Sequence, residues 1–214
     1  MWKTLSADPR ARRGRTLHGV QGWPTFGSRD ACGEKKNETA GSFSLVACLR
    51  KGLDMTLPRI YIETSVISYL TSRPSRDLLI AARQEATREW WEKRDVSYQP
   101  LVSGLVLREA ANGDPEAALR RLRICRPLAR LAIDDAAQEL AKALITTRAI
   151  PETEAEDALH VALATTARVE FIATWNFAHL VGPVAKYRLQ MHLQGMGLAP
   201  PLLATPEELL ETLP

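Results

Sequence analysis

Cysteine is scarce in this chain. Three of its 214 residues are Cys (Cys32, Cys48 and Cys125), an odd set without metal-ligand spacing. That usage excludes a disulfide scaffold and fits a reducing compartment, the cytoplasm. Long apolar runs are missing as well: none approaches the roughly 18 residues that a spanning helix needs, so no membrane association is expected. There is no Gly-rich phosphate loop and no G-x-G-x-x-G, which leaves a nucleotide-binding doubly wound domain without motif support. Internal repeats are absent. What is present is average globular material, 45% hydrophobic and 25% charged, enough for one well-cored domain of about 100–200 residues with an appendage.

An excess of basic residues is missing where it would matter. The net charge of +3 points toward nucleic acid until its distribution is followed. Of 28 Lys/Arg and 25 Asp/Glu, ten and five fall in residues 1–54, leaving 18 and 20 for residues 55–214. The first segment is thus +5 and the body about −2. Residues 1–54 also lack sustained apolar periodicity, with "DPRARRGR" and "GEKKNETAGS" the most polar stretches. They read as a disordered basic N-terminal extension or as sequence upstream of a true start at Met55; a targeting peptide and a nucleic-acid arm are the other readings.

From Arg59 onward strands alternate with amphipathic helices. Strands are expected near 59–63, 96–102 and 170–176, with a short one around "CRPLARL" and a last one in "PPLLA". Helices are expected after Thr64 or Ser65, from a cap near Ser75 to Arg94 with Leu78, Leu79, Ala82 and Trp90 on one face, and from Ser103 to "NGDP". Further helices follow near 115–123, 134–148, 152–167 and 184–195, and one opens at Thr205-Pro206. Such alternation implies right-handed βαβ units, hence a parallel sheet with helices on both faces.

One residue breaks this pattern. In "IYIETSVISYL" (Ile60 to Leu70) a single carboxylate, Glu63, interrupts what reads as buried strand, where an unpaired charge costs several kcal/mol. Ligands of open parallel sheets bind at the strands' carboxyl ends. Glu63 ends the first strand and Asn176 ends "FIATWN"; Glu109 follows Ser103 by six residues, and Asp157 lies near the start of its helix. Three carboxylates and an amide at one crevice form the oxygen-rich set that hard divalent cations take. Each also has a plainer reading. Glu63 can cap the next helix, Glu109 can be a surface residue, Asp157 can offset a helix dipole, and Asn176 can be a turn residue. Glu152, Glu154 and Glu156 read as a solvated first turn, His160 as packing or support for a ligand, and Trp90-Trp91 as core or as an apolar docking groove.

Three stretches in this order, "IYIETSVISYL", "LVSGLVLREAANGD" and "EDALHVALATTARVEFIATWNFAHL" with its Thr-Trp-Asn strand end, resemble the PIN domain family, in particular bacterial toxins of the VapC type. The resemblance covers roughly residues 59–205. It implies a three-layer α/β/α sandwich with a central, mainly parallel sheet over 55–214. It also implies a metal-dependent endoribonuclease that hydrolyses phosphodiesters with metal-activated water. Carried over by motif, the family's acids fall on Glu63, Glu109 and Asp157 as ligands of Mg²⁺ or Mn²⁺, a supporting hydroxyl on Ser65, and a fourth position on Asn176. An RNA substrate, a small antitoxin protein and a homodimer are the implied partners.

This sequence departs from the family twice. Glu63 is one methylene longer than the usual Asp, and Asn176 is neutral where many members carry Asp. A PIN-like module that has weakened catalysis and holds RNA or a protein therefore stands as the alternative. A phosphohydrolase of DNA or small phosphate esters is a third reading. Because the body carries no broad basic surface, phosphate binding would fall to the metal and a local patch, with Arg73, Arg76 and Arg108 as contributors.

Overall fold

The computed structural model describes residues 56–211. The expected N-terminal extension, residues 1–54, lies outside them. β1 (Arg59–Ile62) leads into α1 (Thr64–Thr71) and α2 (Leu78–Lys93), then β2 (Gln99–Ser103), α3 (Gly104–Ala110) and α4 (Pro115–Cys125). β3 (Ala129–Leu131), α5 (Asp135–Thr146), α6 (Ala155–Thr166), β4 (Phe171–Ala173), α7 (Pro183–Gly195), β5 (Leu202–Ala204) and α8 (Pro206–Leu210) complete the order. The five strands pair in the order β3-β2-β1-β4-β5, all parallel. Helices flank the sheet in the expected three-layer arrangement. α5 packs on α6, and α2 packs on α1 and α8.

Burial on both faces explains the apolar strands. Ile60, Tyr61 and Ile62 of the central strand are all at 0% exposure, as are Ile172 and Ala173 of β4. Sheets buried this way read as continuous hydrophobic runs rather than alternating ones. The chain proceeds from β1 outward to β2 and β3, then crosses back to β4 on the other side of β1. That reversal opens a crevice at the carboxyl ends of β1 and β4, where parallel sheets place their ligands.

Side-chain caps set most helix starts, with Asp77, Ser103, Asp114, Asp134 and Thr205 accepting from backbone amides of α2, α3, α4, α5 and α8. Thr205 and Glu208 form a reciprocal capping box. The expected apolar face of α2 is corrected. Leu78 is 87% and Leu79 61% exposed, while the buried side is Gln84, Thr87 and Trp90. The polar pair is tolerated because each finds a partner from elsewhere in the fold. Gln84 Nε2 donates to the Arg73 carbonyl at 2.9 Å, and Thr87 Oγ1 accepts from Trp175 Nε1 at 2.8 Å. Trp90 is accordingly core.

Candidate functional site

Glu63 follows β1 directly, and its amide extends the ladder by donating to the Ala173 carbonyl at 3.0 Å. Its side chain is the N-cap of α1: Oε1 accepts from Ser65 N at 3.0 Å. Oε2 accepts from Thr174 Oγ1 at 2.8 Å and from the Ser65 hydroxyl. The capping reading of this residue thus holds. It does not exhaust the carboxylate, since each oxygen offers about two lone-pair directions and Oε1 uses one.

Glu109 projects from the last turn of α3 toward β1. Its carboxylate accepts from the Thr64 hydroxyl and from His160 Nε2 at 3.1 and 3.2 Å. His160 is 1% exposed and lies on α6. Its Nδ1 is 2.7 Å from the Tyr61 hydroxyl, which is in turn 2.7 Å from Ser103 Oγ. A carboxylate only accepts, so Nε2 must carry a proton. With the imidazole neutral, Tyr61 donates to Nδ1; with it charged, Nδ1 donates to Tyr61 and the phenol turns to Ser103. Either way the Tyr61 hydroxyl and both ring nitrogens of His160 have partners, which is what makes such a network tolerable in the core.

The electrostatics follow from this packing. Burial opposes the charge on His160, but the Glu109 hydrogen bond and the charges of Glu63, Glu109 and Asp157 prevail and raise its pKa. Burial likewise opposes ionisation of Glu109, yet the hydrogen bond and charge of His160, the Thr64 hydroxyl and Arg108 hold it below the ordinary range. Tyr61 is pushed up, first by burial, and stays protonated.

Asp157 is in a different state. It lies in the first turn of α6, 9% exposed, and its Oδ2 accepts from Asn176 Nδ2 at 2.8 Å. Burial and the nearby charge of Glu63 push it up to about 6, with His160 and Asn176 pulling the other way. Asn176 is fixed by its own contacts, with Oδ1 accepting from His179 N at 3.2 Å. A neutral amide can donate to Asp157, which an aspartate at this position could not do.

The four expected site residues fall in two sets, Glu63 and Glu109 in the first, Asp157 and its partner Asn176 in the second. Glu63, Glu109 and His160 present ligand atoms within 4.8 Å of one another, and so do Glu154, Asp157 and His179. His179 Nε2 approaches Glu154 Oε1 to 3.4 Å. Glu154 thus stands apart from its exposed neighbours Glu152 and Glu156, which keep the solvated first turn expected of them. Ser65 holds Glu63 as expected. Arg108 is instead engaged by Glu156 at 3.8 Å on the surface. Sequence reasoning missed Tyr61, Thr64, Thr174 and His179. A tyrosine inside a strand buried on both faces was the available signal, because its hydroxyl must find a partner there.

No protein-family model matches the chain, and no curated protein sequence matches it. Solved structures do. The chain is similar to VapBC2 from Rickettsia felis bound to a DNA fragment of its promoter, at 12% identity over 68% of this chain and 97% of the other, with a TM-score of 0.45. DNA-bound VapBC from Salmonella typhimurium is similar at 12% identity over 70% and 99%, TM-score 0.46. VapC20 of Mycobacterium tuberculosis, a toxin that cleaves the sarcin-ricin loop, is similar at 16% identity over 56% and 91%, TM-score 0.44. The parallel sheet and its flanking helices rest on the strand pairings themselves; in outline, this chain is similar to structures of VapC-type toxins.

Proposed function

We propose that this chain is a metal-dependent endoribonuclease of the VapC type, acting in the cytoplasm as the toxin of a pair with a small antitoxin. The observation that supports this reading is that Glu63, Glu109 and His160 present ligand atoms within 4.8 Å of one another at the strand ends, while Asp157, pushed up to about 6 first by burial and then by the charge of Glu63, lies near enough to feel that charge. Repelling carboxylates at a strand-end crevice are what a cation would relieve. Oxygen donors suit Mg²⁺ or Mn²⁺, and the donor set therefore fits.

In this reading Glu63, Glu109 and Asp157 would hold the ion. A divalent cation held there would supply positive charge against the phosphodiester and would lower the pKa of a water. The rest is done by the chain itself. Ser65 and Thr174 fix Glu63, His160 and Thr64 aim Glu109, and the Asn176 amide orients Asp157. Tyr61 and Ser103 lock His160 from behind.

The test is cleavage of a mixed structured RNA pool by the full chain with Mg²⁺ or Mn²⁺. Cutting that EDTA and Asp157→Ala both abolish is expected. Single-stranded DNA and a generic phosphodiester run beside it, and cutting confined to them overturns the RNA assignment. One specific observation favours the alternative of a weakened RNA- or protein-binding module. Glu63 already accepts three hydrogen bonds and Asn176 brings no charge, so RNA retained without cutting is the outcome that selects it.

A further inference from the structure

The stretch Pro115 to Leu131 carries five arginines and one acid, Glu116, inside a body that otherwise has more acids than bases. Two of the five are committed. Arg120 lies 3.9 Å from Glu116, and Arg121 donates from Nε to the Ala110 carbonyl at 2.9 Å and from Nη2 to that of Asn112. Among the described residues, Arg123, Arg126 and Arg130 have no carboxylate partner. These three line a cavity of about 420 Å³ together with Leu107, Leu119 and Leu122, at the junction of α3, α4 and the edge strand β3.

Arg123 in the last turn of α4 is ordinary on its own, since a helix C-terminus favours a cation. Three guanidinium groups around one cavity are less so. They repel one another without an intervening anion, and concave low-dielectric walls concentrate their field. Guanidinium forks match phosphate oxygens in geometry as well as charge. Leu119, 65% exposed, and the half-buried Leu122 offer an apolar surface to a planar base. The volume falls within the roughly 300–1,000 Å³ usual for ligand sites. An inorganic anion would leave the leucines unused, and an apolar ligand would leave the arginines unanswered.

We propose that this cavity binds one nucleotide unit of a nucleic-acid strand, with the phosphate on Arg123, Arg126 and Arg130 and the base against Leu119 and Leu122. None of its lining residues belongs to the carboxylate crevice, so it is a second hold on the strand. The choice of RNA as that strand rests on the ribonuclease reading.

The test is fluorescence anisotropy of a labelled 12-nucleotide single-stranded RNA with the full chain in EDTA, across a salt series. Arg126→Ala/Arg130→Ala is compared with the charge-matched variant Lys93→Ala/Lys142→Ala, whose lysines are exposed and away from the cavity. The expected result is affinity at least tenfold weaker than the control and a salt slope shallower by about 0.7, as for one lost single-strand phosphate contact. Equal affinity and slope in the two variants overturn the proposal. So does full displacement of the strand by equimolar AMP, which assigns the cavity to a free nucleotide, or by equimolar polyglutamate, which assigns it to an acidic peptide. Because binding is read without metal, failure of the ribonuclease reading is separable: cutting is then absent while the arginine-dependent binding persists.

Discussion

His160 ties the buried strand β1 to the Glu109 carboxylate, with Tyr61 on one ring nitrogen and Glu109 on the other. Replacing it by Ala leaves a cavity, with the buried phenol held by Ser103 alone and the Glu109 carboxylate by Thr64 alone. His160→Ala is therefore expected to cost about 3 kcal/mol, for the cavity and the lost buried hydrogen bonds together, read as a shift of the urea midpoint. A loss below about 1 kcal/mol would show that water replaces the imidazole. Asp157 behaves oppositely. Its folded pKa is raised from 3.8 to about 6, so the native metal-free protein holds more protons than the unfolded chain between those values. Ionised Asp157 destabilises the fold above about pH 6, and that penalty is relieved as pH falls toward 4. His160, also raised, adds stability that is present below 6.5 and lost as pH rises through its folded value. Glu109 is lowered, so its contribution is present above 4.5 and lost as pH falls through its folded value. Metal-free stability should accordingly peak between about pH 4.5 and 6. Asp157→Asn should raise stability in EDTA at pH 7.5 by about 1–2 kcal/mol after solvent screening, while removing metal-dependent cutting. A destabilised Asn variant would mean that Asp157 is paired with something other than Asn176.

Glu63 serves α1 as well as the crevice, and the two roles separate by substitution. Glu63→Ala removes the cap and should cost about 1 kcal/mol, whereas Glu63→Asp keeps a good capping residue and should cost less than about 0.5. Thermal melts of both variants in EDTA check this, and equal melting of the two would show that Ser65 and Thr174, not the cap, set the stability of this turn. Much at this scale was legible in the sequence. Ser103 before "GLVLREA" and Thr205-Pro206 before "EELL" start helices where their chemistry says they should. α2 was misread because Leu78 and Leu79 have the spacing of a buried face, while the residues that are buried, Gln84 and Thr87, are satisfied by Arg73 and Trp175, partners distant enough that no local pattern announces them. The same applies to the site. The carboxylates could be placed by their positions at strand and helix ends, but the Ser103–Tyr61–His160–Glu109 chain joins residues 42, 99 and 51 positions apart.

At the scale of the whole molecule, the strand order brings the charge of Glu63 to bear on Asp157, and under the proposed function an ion that only the native state binds would relieve that repulsion. Binding to the native state alone stabilises it by RT ln(1 + [L]/Kd), about 2.7 kcal/mol at a hundredfold excess over Kd. Mn²⁺ should therefore raise the melting temperature at pH 7.5 by several degrees, and the gain should vanish in Asp157→Asn. Ligand carboxylates must be ionised, so the shift should shrink as pH falls through about 6, where Asp157 takes up its proton. The two pH effects run against each other: acidification to pH 5.5 stabilises the metal-free protein and weakens the metal's grip. Melting curves with EDTA and with Mn²⁺ should converge from pH 7.5 to 5.5, mainly through a rise of the EDTA curve. Parallel curves across that range would remove Asp157 from the ion's ligands and leave Glu63, Glu109 and His160 as the set to test next.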